Sequence, residues 1–223
     1  MTITLWGAGT SRTLRPHWAL AELGVEYVSK PIGPRTGETQ AAEFRALNTK
    51  EKVPVLVDGD LVLTESAAIV TYLGDRFGRL GRGQRGTTPG LVSSAALTPE
   101  PGTVARARYN EWLSYILMEL DAHTLYVMRK HGDLKHLYGE APAAMDAARA
   151  GFEKQLRWAR PRVEAADHLV GDAFTGVDIL MTTCLDWAVA YGFELPEPFL
   201  GYRSRQHHRV GFKKAVQANS AVG

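Results

Sequence analysis

The sequence predicts an α/β domain followed by an all-helical domain. Residues 1–80 carry strand and helix patterns in the order βαβαββα, a stretch rich in Gly, Pro, Ser and Thr follows, and only helical periodicity continues beyond it. We therefore expect domain one over 1–80, an interdomain linker over 81–103 and a helical domain over 104–223.

The chain begins with a strand, a helix and a second strand. Apolar residues alternate with threonine over 2–5, the small residues 7–9 end that strand, and apolar positions recur at helical spacing over 12–23. Gly24 supplies a helix stop, and 25–32 is rich in β-prone residues. This order predicts two adjacent parallel strands joined by a crossover helix.

A short helix, a hairpin and a longer helix complete domain one. The short helix is expected to end near Leu47, and the apolar runs 53–57 and 61–63 then flank an Asp-Gly turn at 58–60. Asp-Gly between apolar runs is typical of a β-hairpin. Helical spacing over 65–77 predicts the last helix of this domain.

Domain two carries amphipathic helical patterns over 104–130, 142–169, 176–191 and 207–217. Thr175 and Asp178 fit a capping box at the start of the third pattern, with Phe174 and Ile179 as its hydrophobic staple. We therefore expect Asp178 to serve folding rather than acid catalysis, and Cys184 in the same helix to be a core residue.

Composition restricts the classes of function. A formal charge of +2 gives no electrostatic reason to expect a nucleic acid or a membrane surface as partner. No apolar run reaches the roughly 18 residues of a membrane span, and no export signal is visible, so we expect a cytoplasmic protein. The single Cys184 excludes an internal disulfide, and His207 and His208 match no metal-ligand spacing, so no metal is expected.

Two segments carry the most specific signal: Lys-Val-Pro-Val-Leu at 52–56 and Leu-Thr-Glu-Ser-Ala at 63–67. A proline that opens a strand donates no ladder hydrogen bond, which suits a position where the neighbouring backbone serves a ligand. Glu65 and Ser66 fall where a helix begins, so the Ser66 hydroxyl and the unpaired amides can hold a carboxylate. Each feature also has a structural interpretation, as a strand start or a helix cap.

These segments resemble the glutathione-binding signature of cytosolic glutathione S-transferases. The segment 5–27 resembles the first strand, catalytic loop and first helix of bacterial members, and 171–179 resembles the capping motif of their helical domain. The resemblance implies a thioredoxin-like N-terminal domain, glutathione as co-substrate and a homodimer. The chain departs from the family in its longer linker and at 48–51, which leaves open whether Asn48 and Lys50 are ligands.

The resemblance also implies which residue meets which part of glutathione. Pro54 would be cis, and the backbone of Val53 beside it would pair with the cysteine of the tripeptide. Glu65 would meet the α-amino group and Ser66 the carboxylate of the γ-glutamyl residue, while Lys52 would meet the glycyl carboxylate.

Thr10 and Ser11 are the candidate donors to the glutathione thiol. Family members place a serine, cysteine or tyrosine there, but Trp6 occupies the end of the strand and the loop contains no cysteine. A hydroxyl and a helix N-terminus both favour a thiolate and lower a thiol pKa from about 8.5. The spacing does not decide between the two, and Ser11 also fits an ordinary N-cap. Arg12 is a further candidate cation, whereas Arg15 fits a structural or interface role.

Tyr109, Trp112 and Tyr115 recur on the first long helix of domain two, where the family builds its wall for the electrophile. We expect the electrophile site there. An aromatic stripe at this spacing is equally typical of a helix core.

The expected function is a glutathione S-transferase that activates the glutathione thiol for attack on a small hydrophobic electrophile. A binding or regulatory protein that kept the fold without the chemistry is the first alternative. A glutathione-dependent thiol-disulfide oxidoreductase or peroxidase ranks last, because an oxidoreductase of this type would carry a cysteine at the start of the first helix. The expected partners are glutathione and the electrophile, with no metal, nucleic acid or membrane.

Overall fold

The computed structural model of the chain describes residues 2–78 and 96–220. Its sheet has four strands in the order β2-β1-β3-β4, with β1 parallel to β2 and both remaining pairs antiparallel. The strands are β1 (Ile3–Trp6), β2 (Tyr27–Lys30), β3 (Val55–Asp58) and β4 (Leu61–Thr64). The predicted parallel pair and the Asp-Gly hairpin are both confirmed.

Three helices complete the N-terminal domain: α1 (Ser11–Leu23), α2 (Ala42–Leu47) and α3 (Ser66–Phe77). A 3₁₀ turn at Glu38–Gln40 precedes α2. Gly24 ends α1 in the left-handed conformation with a φ of 65°, as the sequence predicts. The element order βαβαββα is confirmed, and it is the thioredoxin-like arrangement that the resemblance implies.

The helical domain contains α4 (Val104–Tyr115), a π-helical segment (Ile116–Leu125), α5 (Tyr126–His131), α6 (Lys135–Tyr138), α7 (Pro142–Ala165), α8 (Gly176–Ala190), α9 (Glu197–His207) and α10 (Val210–Asn219). The helix predicted over 104–130 is therefore present without a break, but its centre is π-helical. The last predicted helix, over 207–217, corresponds to α10, and the sequence patterns miss α9. No helix among the described residues is both long and apolar enough to cross a membrane.

The two domains share one continuous hydrophobic core. Helix α1 packs against α3 of its own domain and against α8 and α10 of the helical domain. Trp18 of α1 is fully buried, and its ring lies 5.6 Å from Phe174 and 4.8 Å from Phe212. Because one helix contacts both domains, the position of α1 fixes the cleft between them.

The expected linker, 81–103, lies outside the described residues as far as residue 95. Its last part is packed: Leu97 is fully buried, and its carbonyl accepts a hydrogen bond of 2.8 Å from the amide of Gly176. The predicted capping box beside it is confirmed, because Asp178 accepts a hydrogen bond from the Thr175 amide at 2.8 Å. Cys184 is fully buried, and burial raises the pKa of its thiol to about 12.

Candidate active site

Two connected cavities lie in the cleft between the domains. The inner chamber, of about 330 Å³, lies between the 52–54 loop, the start of α3 and the π-helical segment. The outer chamber, of about 770 Å³, lies between the loop 34–40 and the α5–α6 region. Both are lined by Arg12, Lys50, Lys52, Val53 and Tyr126, so the two chambers form one site.

One wall of the inner chamber is the loop before β3. The peptide bond between Val53 and Pro54 is cis, as the resemblance implies. Gly7, at a φ of 112°, packs against this loop so closely that an added Cβ would lie 2.5 Å from the Cβ of Val53. A glycine is therefore required at position 7, both for its backbone conformation and for this contact.

The start of α3 forms the neighbouring wall. Ser66 is its first residue, and Glu65 caps it with a φ of 70°, a left-handed conformation that is unfavourable for a glutamate. The Ser66 hydroxyl accepts a hydrogen bond of 3.2 Å from Nη1 of Arg15, so its own proton is available for an anion in the chamber. The unpaired amides of the first turn add to this potential anion site.

Lys50, whose role the sequence leaves open, contacts this wall. Its Nζ is 2.6 Å from Oε1 of Glu65 and 2.8 Å from the Thr64 hydroxyl. Asn48 is buried and holds the turn before the cis peptide, because its Nδ2 donates a hydrogen bond of 2.8 Å to the Lys52 carbonyl. Lys50 is therefore placed at the chamber, and Asn48 stabilises the turn that carries Lys50.

A buried ion cluster joins the domains behind the inner chamber. Asp121, on the π-helical segment, accepts hydrogen bonds from Arg12 and, at 2.7 Å, from Nη2 of Arg15. Arg15 is fully buried and also donates to the hydroxyl of Thr183 at 2.9 Å. Burial alone would raise the pKa of Asp121, but the charges and hydrogen bonds of the two arginines lower it. Arg15 therefore has the interface role expected for it.

At the N-terminus of α1, Thr10 rather than Ser11 is the N-cap. The Thr10 hydroxyl accepts a hydrogen bond of 3.0 Å from the Thr13 amide, and Thr10 lines the outer chamber. Ser11 is the first residue of the helix, its hydroxyl forms no hydrogen bond within the described chain, and it is not among the described lining residues of either chamber. The N-cap role that the sequence offered for Ser11 thus belongs to Thr10.

The end of α10 contacts this loop, which the sequence patterns do not indicate. The Asn219 carbonyl accepts from the Gly9 amide at 2.8 Å, and its Oδ1 accepts from the Thr13 hydroxyl at 2.7 Å. Its Nδ2 donates to the Thr10 carbonyl at 3.2 Å. One residue of the helical domain therefore holds three residues around the start of α1.

A buried histidine supports the same loop from the other side. His17 donates from Nε2 to the Gly7 carbonyl at 3.0 Å, which leaves Nδ1 to accept from the Tyr27 hydroxyl at 2.6 Å. Burial lowers the pKa of His17, although the hydrogen bond to Gly7 opposes the shift. The imidazole is therefore neutral at pH 7.

The structure does not bring the three predicted electrophile residues to the cleft. Tyr109 is fully buried, and its hydroxyl lies 3.0 Å from that of Thr71. Trp112 stacks near Tyr115 and Trp158, and the Tyr115 hydroxyl donates to a backbone carbonyl of α7. Their side chains point into the packing of α4 against its neighbours, which is the core interpretation of the stripe.

Residues other than these three form the wall of the outer chamber on the side of the helical domain. Tyr126 and Arg129 of α5, Leu137 and Tyr138 around α6, and Arg35 of the long loop line the outer chamber. These residues are far apart in the sequence and match no motif, so no local signal could have found them. Among the described residues, no group of three or more His, Cys, Asp or Glu side chains could hold a metal ion.

Comparison with known proteins identifies the family. The N-terminal domain model of the glutathione S-transferases matches residues 1–75, and their C-terminal domain model matches residues 115–207. The glutathione S-transferase GstA of Escherichia coli O157:H7 is 26% identical over 211 residues, covering 92% of this chain and 93% of that protein.

Solved structures show the same fold over the whole length. A glutathione transferase from Methylococcus capsulatus matches with a TM-score of 0.79 and 25% identity, covering 99% of this chain and 100% of that one. The transferase URE2P6 of Phanerochaete chrysosporium, solved with oxidized glutathione, matches with a TM-score of 0.81 at 19% identity, covering 100% and 98%. The chain therefore belongs to the glutathione S-transferase family of enzymes, in its bacterial type.

Proposed function

We propose that the inner chamber binds glutathione and that the enzyme activates its thiol for attack on an electrophile in the outer chamber. The observation that carries the proposal is one chamber that joins the cis peptide before Pro54, the anion site at Ser66 and the start of α1. Each of these supplies a different polar contact, and together with Lys52, which lines the same chamber, they match the two ends and the middle of a charged tripeptide.

The charges of the chamber support this orientation of glutathione. Ser66 and the first-turn amides of α3 take the γ-glutamyl carboxylate, and the Glu65 carboxylate takes the α-amino group beside it. Lys52, which lines both chambers and forms no ion pair within the described residues, takes the glycyl carboxylate. The backbone of Val53 pairs with the cysteine between them.

Activation requires the thiol to lose its proton to solvent, after which the sulfur forms a bond to carbon and the leaving group departs. A hydroxyl at residue 10 or 11 and the amides at the start of α1 stabilise the thiolate. Thr10 lines the cavity, but Ser11 has the hydroxyl that is free of internal hydrogen bonds. Arg12 contributes less charge than the sequence suggests, because Asp121, which it shares with Arg15, compensates part of it.

We also propose that the enzyme is a cytoplasmic homodimer that detoxifies small electrophiles. Large apolar side chains are exposed on β4 and α4, including Val62 at 40% and Val104 at 80%. Burial of such residues against a second copy would stabilise an association. Light scattering of the purified protein would give the mass directly, and a monomer at micromolar concentration would contradict this part of the proposal.

Ultraviolet titration of bound glutathione tests the chemistry. The wild type should lower the thiol pKa below its ordinary value of about 8.5, and the variant that removes the true donor should raise it again. Thr10→Val and Ser11→Ala remove one hydroxyl each, while Thr10→Ser keeps both the hydroxyl and the cap as a matched control. Glutathione that binds with an unchanged pKa would favour a binding protein without chemistry.

A further inference from the structure

The outer chamber carries an excess of positive charge. Its described lining contains one carboxylate, that of Glu51, against His136 and five side chains with a permanent positive charge: Arg12, Arg35, Lys50, Lys52 and Arg129. A glutathione molecule has two carboxylates to offer, and one of them belongs to the inner chamber at Ser66. The cations therefore exceed what glutathione alone needs.

Three of the five cations are already accounted for. Asp121 pairs with Arg12, Glu65 pairs with Lys50 at 2.6 Å, and the glycyl carboxylate is the expected partner of Lys52. Arg129 and Arg35 remain, and within the described part of the chain neither forms an ion pair. They come from different domains, so they approach the chamber from opposite sides of the cleft.

Glu38 and Asp133 are the carboxylates nearest in sequence to Arg35 and Arg129, and both have other partners, as does Glu51 of the chamber lining. Glu38 accepts hydrogen bonds from an amide and a hydroxyl of its own loop, at 3.1 and 2.7 Å. Glu51 pairs with Arg45 at 3.1 Å, and Asp133 accepts from the Tyr191 hydroxyl at 2.6 Å. Neither Arg35 nor Arg129 is therefore neutralised by an acid of its own segment.

The same chamber also has an apolar wall. Leu137 is 58% exposed and Tyr138 48% exposed, and both line the chamber together with Tyr126. The Nζ of Lys130 lies 5.5 Å from the Tyr126 ring and 5.4 Å from the Tyr138 ring, which brings these two aromatic side chains around one cation. An apolar body can pack here beside the two arginines.

We propose that the electrophile of this enzyme has an apolar body and an anionic group, a carboxylate, which Arg129 and Arg35 bind. The guanidinium group suits this role because its planar donors match a carboxylate in pairs. The apolar wall holds the body of the substrate while the arginines fix its orientation toward the thiolate. This inference rests on the proposed function, in which glutathione occupies the inner chamber.

Binding of two glutathione conjugates tests the proposal without any need for turnover. S-(4-carboxybenzyl)glutathione and S-(4-carbamoylbenzyl)glutathione have nearly the same shape and differ in charge. Calorimetry on the full chain should show that the carboxylate conjugate binds about tenfold tighter or more than the amide conjugate. A hydrogen bond to a charged group contributes enough binding free energy for a difference of this size. Arg129→Gln should remove most of this preference, Arg35→Gln part of it, and neither should weaken the amide.

Arg157→Gln is the matched control, because Arg157 is exposed on α7 and lines a separate groove with Phe152 and Phe193. It removes the same charge and should leave the preference intact. Equal affinity for both conjugates in the wild type, or a preference that survives in the Arg35→Gln/Arg129→Gln double variant, would overturn the proposal. If glutathione itself fails to bind, the proposed function falls as well; if glutathione binds and the preference is absent, the substrate class alone is wrong.

Discussion

The arginines of the two chambers differ in their partners. In the inner chamber Asp121 holds both Arg12 and Arg15, and the second of these is fully buried. In the outer chamber Arg35 and Arg129 form no ion pair with the described residues. A buried cation needs its counter-charge for the protein to fold, whereas a solvated cation can remain free for a ligand. The comparison separates cations that hold the domains together from cations available to a substrate.

Loss of the Asp121 carboxylate should have the largest effect. Asp121→Asn leaves Arg15 buried without its counter-charge, and breaking one side of a buried pair costs about 3–5 kcal/mol. Denaturant unfolding should show a decrease in stability of this size. Arg129→Gln is the comparison variant, because the side chain of Arg129 is only partly buried and forms no ion pair with a described residue, and it should leave the unfolding midpoint nearly unchanged. Equal losses in the two variants would break the distinction between the chambers.

The second prediction concerns the contact beneath the cis peptide. Gly7→Ala places a Cβ 2.5 Å from that of Val53 at a φ of 112°, so the loop must move, and we expect a loss of about 2–4 kcal/mol together with weaker glutathione binding. Gly24→Ala is the matched control, since its φ of 65° is also left-handed but nothing lies within 4 Å of the added atom. It should cost about 1–2 kcal/mol and leave glutathione affinity unchanged.

A third prediction uses pH. The folded protein lowers the pKa of His17 below its ordinary value of 6.5, so the unfolded chain binds a proton more readily than the folded one in this range. The stabilisation that neutral His17 contributes should therefore be fully present above pH 6.5 and be lost as the pH falls below that value. The free energy of unfolding should decrease through this group by at most about 1.4 kcal/mol per pH unit. The slope of unfolding free energy against pH should be smaller in His17→Gln than in the wild type. Identical slopes would show that His17 does not titrate on unfolding.

The same comparison explains what the sequence could predict. One side of the inner chamber is built from short contiguous segments, 52–54 and 64–66, so a local motif is enough to find it. The outer chamber depends on side chains at positions such as 35, 129 and 138, which come together only because α5 and α6 lie across the cleft from the loop 34–40.

The electrophile site was expected on α4 for a related reason. Aromatic residues at helical spacing indicate a face of a helix, but they do not say whether that face meets a cavity or another helix. Tyr109 is buried between α3 and the start of α8, and Trp112 is buried against Trp158 of α7, so the face is core. Periodicity predicted the elements of this fold well, and it missed α9 and the π-helical segment because neither has a regular apolar pattern that marks its limits.

The smallest expected effect lies at the end of α10, where the helical domain contacts the loop that carries Thr10. Asn219→Ala removes the hydrogen bonds to Thr13 and Thr10 but keeps the backbone bond from the Gly9 amide, so the loop should loosen without leaving its place. We expect the pKa of bound glutathione to rise by about one unit or less, and the rate of conjugation at neutral pH to fall by up to about tenfold. Gln217→Ala, an exposed position on the same helix, should change neither quantity. A loss of stability alone would not change the thiol pKa of the folded complex. A raised thiol pKa in Asn219→Ala would therefore make Asn219 a positioning residue for the thiolate. An unchanged thiol pKa would mean that Asn219 only stabilises the packing of α10.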